Sequence, residues 1–183
     1  MKLSKTLIAL TAVFFILGAV RLFSQPILNE HSVKFENVQT ATLVGQDGLI
    51  MRTVDGGLSW IPQISGITNV LYSNEFVSYI DNNGSIVNLQ LAVGENGIIL
   101  RSIDNGLSWT LIASLTVENL NDVIIFTPSL IYVCGNNGTL LRSVDYGVSW
   151  SPVLLPTTNS FNHIAVFGPS TLETNLSAIV VGD

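Results

Sequence analysis

One set of chemically active residue types recurs three times in this chain. Arginine, serine or threonine, aspartate, glycine and tryptophan lie within nine positions, as in "RSVDYGVSW" at 142–150. Such an aspartate could act as a general acid or base, and such an arginine could bind a carboxylate. Because an active site is needed once, whereas a motif copied in every repeat serves what every repeat needs, we predict a structural role and no catalytic residue. The three copies are Thr53-x-Asp55-x-Gly57-x-x-Trp60, Ser102-x-Asp104-x-Gly106-x-x-Trp109 and Ser143-x-Asp145-x-Gly147-x-x-Trp150.

The residue types suit a tight turn between two strands. Such a turn leaves backbone N–H groups without ladder partners, and a short carboxylate can accept their hydrogen bonds. Glycine adopts backbone conformations that are closed to other residues. A tryptophan buried against a neighbouring sheet contributes several kcal/mol. We therefore expect the aspartates and tryptophans to hold the fold.

The arginines of the motif are the candidate binding residues. Arg52, Arg101 and Arg142 occupy one register position, three residues before each aspartate. In one interpretation each arginine hydrogen-bonds its own turn or reaches the next sheet. In the other, the three guanidinium groups form an arc on one rim that binds carboxylates or an acidic protein segment.

The elements that carry the motif are β-strands. The segments 44–60, 93–109 and 133–150 align, and each contains an Asp-Gly or Asn-Gly pair, which favours a type I′ hairpin turn. With the strands on either side, each unit has four short strands per 40 to 50 residues, the pattern of a β-propeller blade. "IVVGD" at 179–183 begins a fourth copy, and "VSYIDNNGSIV" at 77–87 indicates a loop or extra hairpin. The predicted fold class is all-β: a partial β-propeller of about three and a half four-stranded antiparallel blades.

The N-terminus has the features of a secretory signal peptide. Lys2 and Lys5 precede the apolar run 7–20, which is shorter than the roughly 20 residues that span a bilayer. We predict a signal helix at 1–24 and the partial propeller at 25–183, in a secreted, periplasmic or cell-surface bacterial protein. An uncleaved N-terminal anchor is the alternative. Without residues 1–24 the chain has 4 basic and 13 acidic residues, a net charge of about −9, which disfavours nucleic acid and anionic membranes as partners.

Other residues that could do chemistry do not form a pattern. Cys134, the single cysteine, lies in an apolar run and is expected to be a buried strand residue. His31 and His163 lack the spacing of metal ligands, so we expect neither a metal nor a cofactor. A glycoside hydrolase would need two facing carboxylates. The acidic residues outside the repeat that could supply them are Glu75, Asp81, Glu118 and Asp122.

The motif resembles the Asp box of the BNR (sialidase-type) propeller repeats. "GENGIILRSIDNGLSW" is also similar to the photosystem II stability/assembly factor-like propellers within that group. That resemblance implies a protein-binding, assembly-supporting role, with Arg52, Arg101 and Arg142 at the positions of a basic patch. Sialidases grip a carboxylate with three arginines from unlike positions, so that triad does not transfer to these repeat-equivalent residues.

Three functions follow as hypotheses. The first is a secreted, non-catalytic propeller that binds a protein or a surface glycan and belongs to a longer protein. The second is a fragment of an Asp-box glycoside hydrolase. The third is a truncated product without function, because the fourth blade stops at Asp183. In each case unpaired strand edges would favour self-association.

Overall fold

The computed structural model describes residues 29–167 and 177–182. The predicted signal helix at 1–24 lies outside the described residues. Within the described part the chain forms strands joined by turns, and its helical elements are two single 3-10 turns at Gln46–Gly48 and Glu95–Gly97.

The strands form three complete blades and the first half of a fourth. Each complete blade is an antiparallel sheet of four strands in chain order, and the fourth sheet has two strands. Blade 1 contains β1 (Glu30–Phe35), β2 (Ala41–Gly45), β3 (Ile50–Thr53) and β4 (Ile61–Gln63). Blade 2 contains β5 (Leu71–Ile80), β6 (Ile86–Gly94), β7 (Ile99–Ser102) and β8 (Thr110–Ile112). Blade 3 contains β9 (Leu120–Ile125), β10 (Ile131–Gly135), β11 (Leu140–Ser143) and β12 (Ser151–Pro152), and blade 4 contains β13 (Phe161–Phe167) and β14 (Ser177–Gly182).

The predicted hairpin turns between the second and third strands are confirmed. Asp47, Asn96 and Asn137 have φ of 54°, 56° and 52°, and the glycine after each also has positive φ. In the first turn the Leu49 amide donates to the Gln46 carbonyl at 2.9 Å. Two successive left-handed residues are the requirement of a type I′ turn, which explains why Asp-Gly and Asn-Gly recur here.

The first strands of successive blades lie side by side, since β1 contacts β5, β5 contacts β9 and β9 contacts β13. Three apolar clusters fill the spaces between the blades. Blades 1 and 2 meet at a cluster that includes Val44, Ile50 and Leu100, while blades 2 and 3 meet at a larger one that includes Leu91 and Val133. Blades 3 and 4 meet around Cys134 and Phe161. This succession of sheets confirms the predicted partial propeller.

Blade 2 departs from the repeat. β5 extends to Ile80 and β6 begins at Ile86, and the two strands remain paired up to these residues. The segment 77–87 is therefore the end of an extended β5–β6 hairpin. Asp81 shapes the turn, because its Oδ1 accepts hydrogen bonds from the amides of Asn83 and Ser85 at 2.9 and 2.8 Å. Of the two alternatives for this segment, the structure shows the hairpin.

Candidate functional site: the arginine rim

The turns that carry the repeated motif, at 53–60, 102–109 and 143–150, are called the Asp-box turns below. All three have the same hydrogen-bond network. In blade 2 the Asp104 Oδ1 accepts from the Ser108 amide at 2.9 Å, and its Oδ2 accepts from the Ser108 hydroxyl at 2.5 Å. The Ser102 hydroxyl donates to Asp104 Oδ1 and accepts from the Gly106 amide, at 2.8 and 2.9 Å. The carboxylate thus joins both ends of the turn and supplies the partners that the turn amides lack. The equivalent network in blade 1 uses Thr53, Asp55, Gly57 and Ser59, and in blade 3 Ser143, Asp145, Gly147 and Ser149.

These hydrogen bonds hold the carboxylates in their ionised form. The Ser59 hydroxyl, the Ser59 amide and the Thr53 hydroxyl lower the pKa of Asp55 to about 2. Burial raises the pKa of Asp104 and Asp145, but the bonds donated to them lower it by more, so both pKa values lie below the ordinary one. A general acid needs a raised pKa, so these carboxylates suit a structural role.

The tryptophans of the motif occupy unlike surroundings. Trp150 is 4% exposed in the cluster between blades 2 and 3, and Trp109 is half-buried against the cluster between blades 1 and 2. Trp60 is half-buried and belongs to neither cluster. Each clustered tryptophan packs on the blade that precedes its own, and blade 1 is the first blade described. The three copies of the motif therefore place their tryptophans in different surroundings.

Arg52 reaches from blade 1 to the Asp-box turn of blade 2. In the orientation of the Asn105 amide that satisfies both neighbours, its oxygen accepts from Arg52 Nη2 at 2.5 Å and its nitrogen donates to Glu36 Oε2 at 2.6 Å. Arg52 Nε is buried and has no hydrogen-bond partner among the described residues. The charge of Arg52 therefore faces a carboxylate of its own blade, with an amide between them.

Glu36 is the half-buried carboxyl group of this first interface. Burial raises its pKa, and the nearby Arg52 guanidinium and the hydrogen bonds from Gln90 and Thr42 partly oppose that effect. Gln90 Nε2 donates to Glu36 Oε1 at 2.6 Å, and the Thr42 hydroxyl donates to Gln90 Oε1 at 3.0 Å. Gln90 is only 2% exposed, so this polar network is part of the core between blades 1 and 2.

The Arg101 side chain extends from blade 2 to blade 3, as that of Arg52 does from blade 1 to blade 2, but its neighbours differ. Its Nε donates to the Tyr146 carbonyl at 2.8 Å, in the Asp-box turn of blade 3. The Tyr146 ring stacks on the Tyr79 ring with 5.0 Å between centroids and 24° between planes. Among residues 29–167 and 177–182, neither Nη atom of Arg101 has a hydrogen-bond acceptor. The geometry of Arg52 and Arg101 thus agrees with the interpretation that each arginine reaches the next blade. Arg101 is half-buried, and burial lowers its pKa, while the nearby Tyr79 and Asp145 partly oppose that effect.

Arg142 occupies the same register on β11. It is half-buried and lies opposite Tyr132 on β10 and Ser151 on β12. The structure therefore places the three predicted arginines at equivalent positions on consecutive blades. Arg52, Arg101 and Arg142, with the turns that they contact, are called the arginine rim.

Glu75 and Asp122, two of the acids considered for glycoside hydrolysis, connect neighbouring blades. Glu75 pairs with Lys34 of blade 1. Asp122 accepts from the Ser73 hydroxyl of blade 2 at 2.8 Å and from the Ile164 amide of blade 4 at 3.1 Å. His163 Nδ1 lies 3.7 Å from Asp122 Oδ2. Both carboxylates are thus engaged in contacts that fix the first strands against each other.

The other residues singled out in the sequence have local roles. Glu118 accepts from the Asn137 side chain at 2.8 Å. Cys134 is fully buried, as predicted, and burial raises its pKa to about 12, so its thiol is protonated at neutral pH. In the described ranges no three His, Cys, Asp or Glu side chains come close enough to hold a metal ion. No helix in those ranges is long and apolar enough to cross a bilayer.

Sequence reasoning missed several residues of this rim. Ser59, Ser108 and Ser149 bind both carboxylate oxygens of their aspartates, and their presence in all three copies was the signal. Tyr146 was also missed, although it stands where the other copies have Gly56 and Asn105. Glu36 and Gln90 lie far from the motif in sequence, and nothing in the repeat pattern pointed to them.

Comparison with solved structures supports the fold. The chain is similar to a structure of YCF48 bound to a D1 peptide, with 21% identity and a TM-score of 0.58 over 73% of this chain and 42% of that one. It is also similar to the crystal structure of an ancestral GH74 enzyme, with 17% identity and a TM-score of 0.54 over 72% of this chain and 19% of that one. The chain therefore spans less than half the length of either. No protein-family model matches the sequence, and no curated protein matches it.

Proposed function

We propose that this chain is a secreted, non-catalytic β-propeller module that binds an acidic segment of a protein partner along its arginine rim and supports assembly, as the photosystem II assembly factor-like propellers do. The observation that carries the proposal is the half-buried guanidinium of Arg101, whose Nη atoms have no hydrogen-bond acceptor among the described residues. A peptide carboxylate would provide it with bidentate hydrogen bonds.

Charge and similarity add support. In a mature chain of net charge about −9, three of the four cations are the rim arginines, so the rim is where an anionic segment would be attracted. One of the similar structures is described as YCF48 bound to a D1 peptide, a related fold that holds a peptide. Export rests on the N-terminal signal pattern, and membership of a longer protein agrees with the 42% of the YCF48 chain that this one covers.

The test is peptide binding by the mature protein, residues 25–183. A fluorescent peptide rich in Asp and Glu should bind, and its Asn/Gln counterpart should bind at least tenfold more weakly. Replacing Arg52, Arg101 and Arg142 with Met should abolish the preference for the acidic peptide over its Asn/Gln counterpart. Lys34→Met removes the one remaining cation of residues 25–183, and it is the charge-matched control for each single arginine variant, Arg52→Met, Arg101→Met and Arg142→Met. Equal binding of the acidic peptide by wild type and the triple variant would contradict the proposal.

The second candidate is a glycoside hydrolase, for which the fold similarity to a GH74 enzyme is the reason to test. Glu75 and Asp122 are its candidate carboxylates, and both are occupied by contacts between blades. Incubation with fluorogenic glycosides distinguishes the two functions. Cleavage that disappears in Glu75→Gln or Asp122→Asn, with folding retained, would favour the hydrolase. The binding module should show no cleavage.

A further inference from the structure

The aromatic pair beside Arg101 exists because two elements depart from the repeat. Tyr79 lies on the extended β5–β6 hairpin, a feature of blade 2 alone among the three complete blades. Tyr146 occupies a turn position where the other copies have Gly56 and Asn105. The Asp-box network itself is the same in all three copies, so it does not require a ring at this position.

Tyr146 adopts an unfavourable backbone conformation. Its φ is 63°, in the left-handed region, where Gly56 and Asn105 have φ of 73° and 67°. Glycine and asparagine tolerate that region, whereas a bulky residue there is an outlier. Such strain concentrates at functional sites. The stack on Tyr79 offsets part of the cost, and it fixes the Tyr146 ring in one orientation.

The ring pair and the cation form one surface. Arg101 Nε donates to the backbone carbonyl of Tyr146, and the Arg101 charge interacts with Tyr79, whose ring stacks on that of Tyr146, so the guanidinium and the ring pair belong to one cluster. Tyr146 remains 38% exposed even though the Tyr79 ring stacks on one face of its ring. A ligand carboxylate on Arg101 would therefore bring the neighbouring ligand residue onto the Tyr146 ring.

We infer that Tyr79, Tyr146 and Arg101 form a composite recognition site that selects acidic peptide segments with an aromatic residue next to the carboxylate. This inference rests on the proposed function and deepens it: the arginine supplies affinity for the acid, and the tyrosine ring supplies the preference for its neighbour. The site between blades 1 and 2 lacks this preference, since Asn105 stands beside Arg52 at the position equivalent to Tyr146.

The experiment compares two fluorescent peptides, acetyl-Gly-Phe-Asp-Gly-amide and acetyl-Gly-Ala-Asp-Gly-amide, by anisotropy with the mature protein. Wild type should bind the Phe peptide roughly threefold to tenfold more tightly, the range that an aromatic contact contributes. Tyr146→Gly and Tyr146→Asn reproduce the residues of the other two copies, so the turn should fold. Both variants should bind the Phe peptide with the affinity of the Ala peptide.

The outcomes separate the inference from the proposed function. If wild type binds both peptides equally, or if both Tyr146 variants keep the preference for Phe, the aromatic selection is wrong and acidic binding stands. If wild type binds neither peptide, both ideas fail. Tyr79→Ala, which removes the ring that orients Tyr146, should reduce the preference without abolishing binding, and a full loss of binding would contradict the assigned roles.

Discussion

The two described interfaces between complete blades place an arginine of the same register among different side chains. Between blades 1 and 2, Arg52 faces Asn105, Glu36 and the buried Gln90, a polar network internal to the protein. Between blades 2 and 3, Arg101 touches the Tyr146 carbonyl beside a pair of stacked rings. The repeat determines the backbone position of each arginine, whereas residues outside the motif determine which groups its side chain contacts.

This difference separates structure from recognition. In the first interface Asn105 joins Arg52 to Glu36, so a ligand would have to compete with both groups. In the second interface the charge of Arg101 interacts with Asp145 without a hydrogen bond to it, because the Asp145 oxygens accept from Ser143 and Ser149, and the Nη atoms of Arg101 have no acceptor among the described residues. We therefore expect the blade 2–3 rim to dominate ligand binding, while the shared Asp-box network determines stability.

The largest expected effect is the loss of stability when a tryptophan that packs between two blades is replaced. Trp150→Ala should lower the free energy of unfolding by about 3–5 kcal/mol, because the indole is buried among residues of blades 2 and 3. Trp109→Ala should cost about 2 kcal/mol, because that side chain is only half-buried. Urea denaturation followed by far-UV circular dichroism measures both. Equal losses would mean that the two interfaces do not differ in packing.

A smaller and uniform effect is expected within the Asp-box turns. Ser108→Ala and Ser149→Ala each remove the hydroxyl donor to an aspartate, at 2.5 Å in both turns, and should cost about 1 kcal/mol. The two losses should agree, because the networks are the same. Leu107→Ala, at an exposed position of the same turn, is the control and should change stability little. Unequal serine losses would argue against a common role.

The pH dependence of stability should distinguish Glu36 from the Asp boxes. The lowered pKa of Asp55, about 2 against an ordinary 3.8, gives stability that is present above pH 4 and is lost as the pH falls toward 2. The raised pKa of Glu36 has the opposite sign: it favours folding when protonated, and that contribution is lost as the pH rises above 4.5. Urea unfolding between pH 2.5 and 7 measures the free energy of unfolding at each pH. Glu36→Gln should reduce its pH dependence above pH 4.5 and leave the dependence at lower pH unchanged. A change confined to the lower pH range would contradict the assignment.

The smallest effect concerns self-association. Val181 is 57% exposed on β14, whereas Val44 and Val93, at the same register of blades 1 and 2, are fully buried against the next blade. Concentrated protein should therefore associate weakly through this face. Val181→Lys should weaken association severalfold in sedimentation velocity, while Val38→Lys, at a position 87% exposed in a turn, should not. Equal association by both variants would place the contact elsewhere.

Most of the fold could be predicted from the repeat. Asn-Gly pairs and the spaced Asp, Gly and Trp act locally, so the hairpins, the four-strand blades and the second turn follow from sequence. The partners of the arginines could not be predicted, because Glu36, Gln90 and Tyr79 meet the rim only through packing of neighbouring blades. The difference between Trp60 and the other tryptophans also depends on which blades stand beside it.

The measurement that tests the account most directly is the dissociation constant of the acidic Phe peptide for Arg101→Met and Arg52→Met, each compared with the mature wild type. Both variants lose one rim charge, so they differ only in which interface is changed. The account predicts a loss of at least tenfold for Arg101→Met and less than about threefold for Arg52→Met. Equal losses, or a larger loss for Arg52→Met, would contradict it.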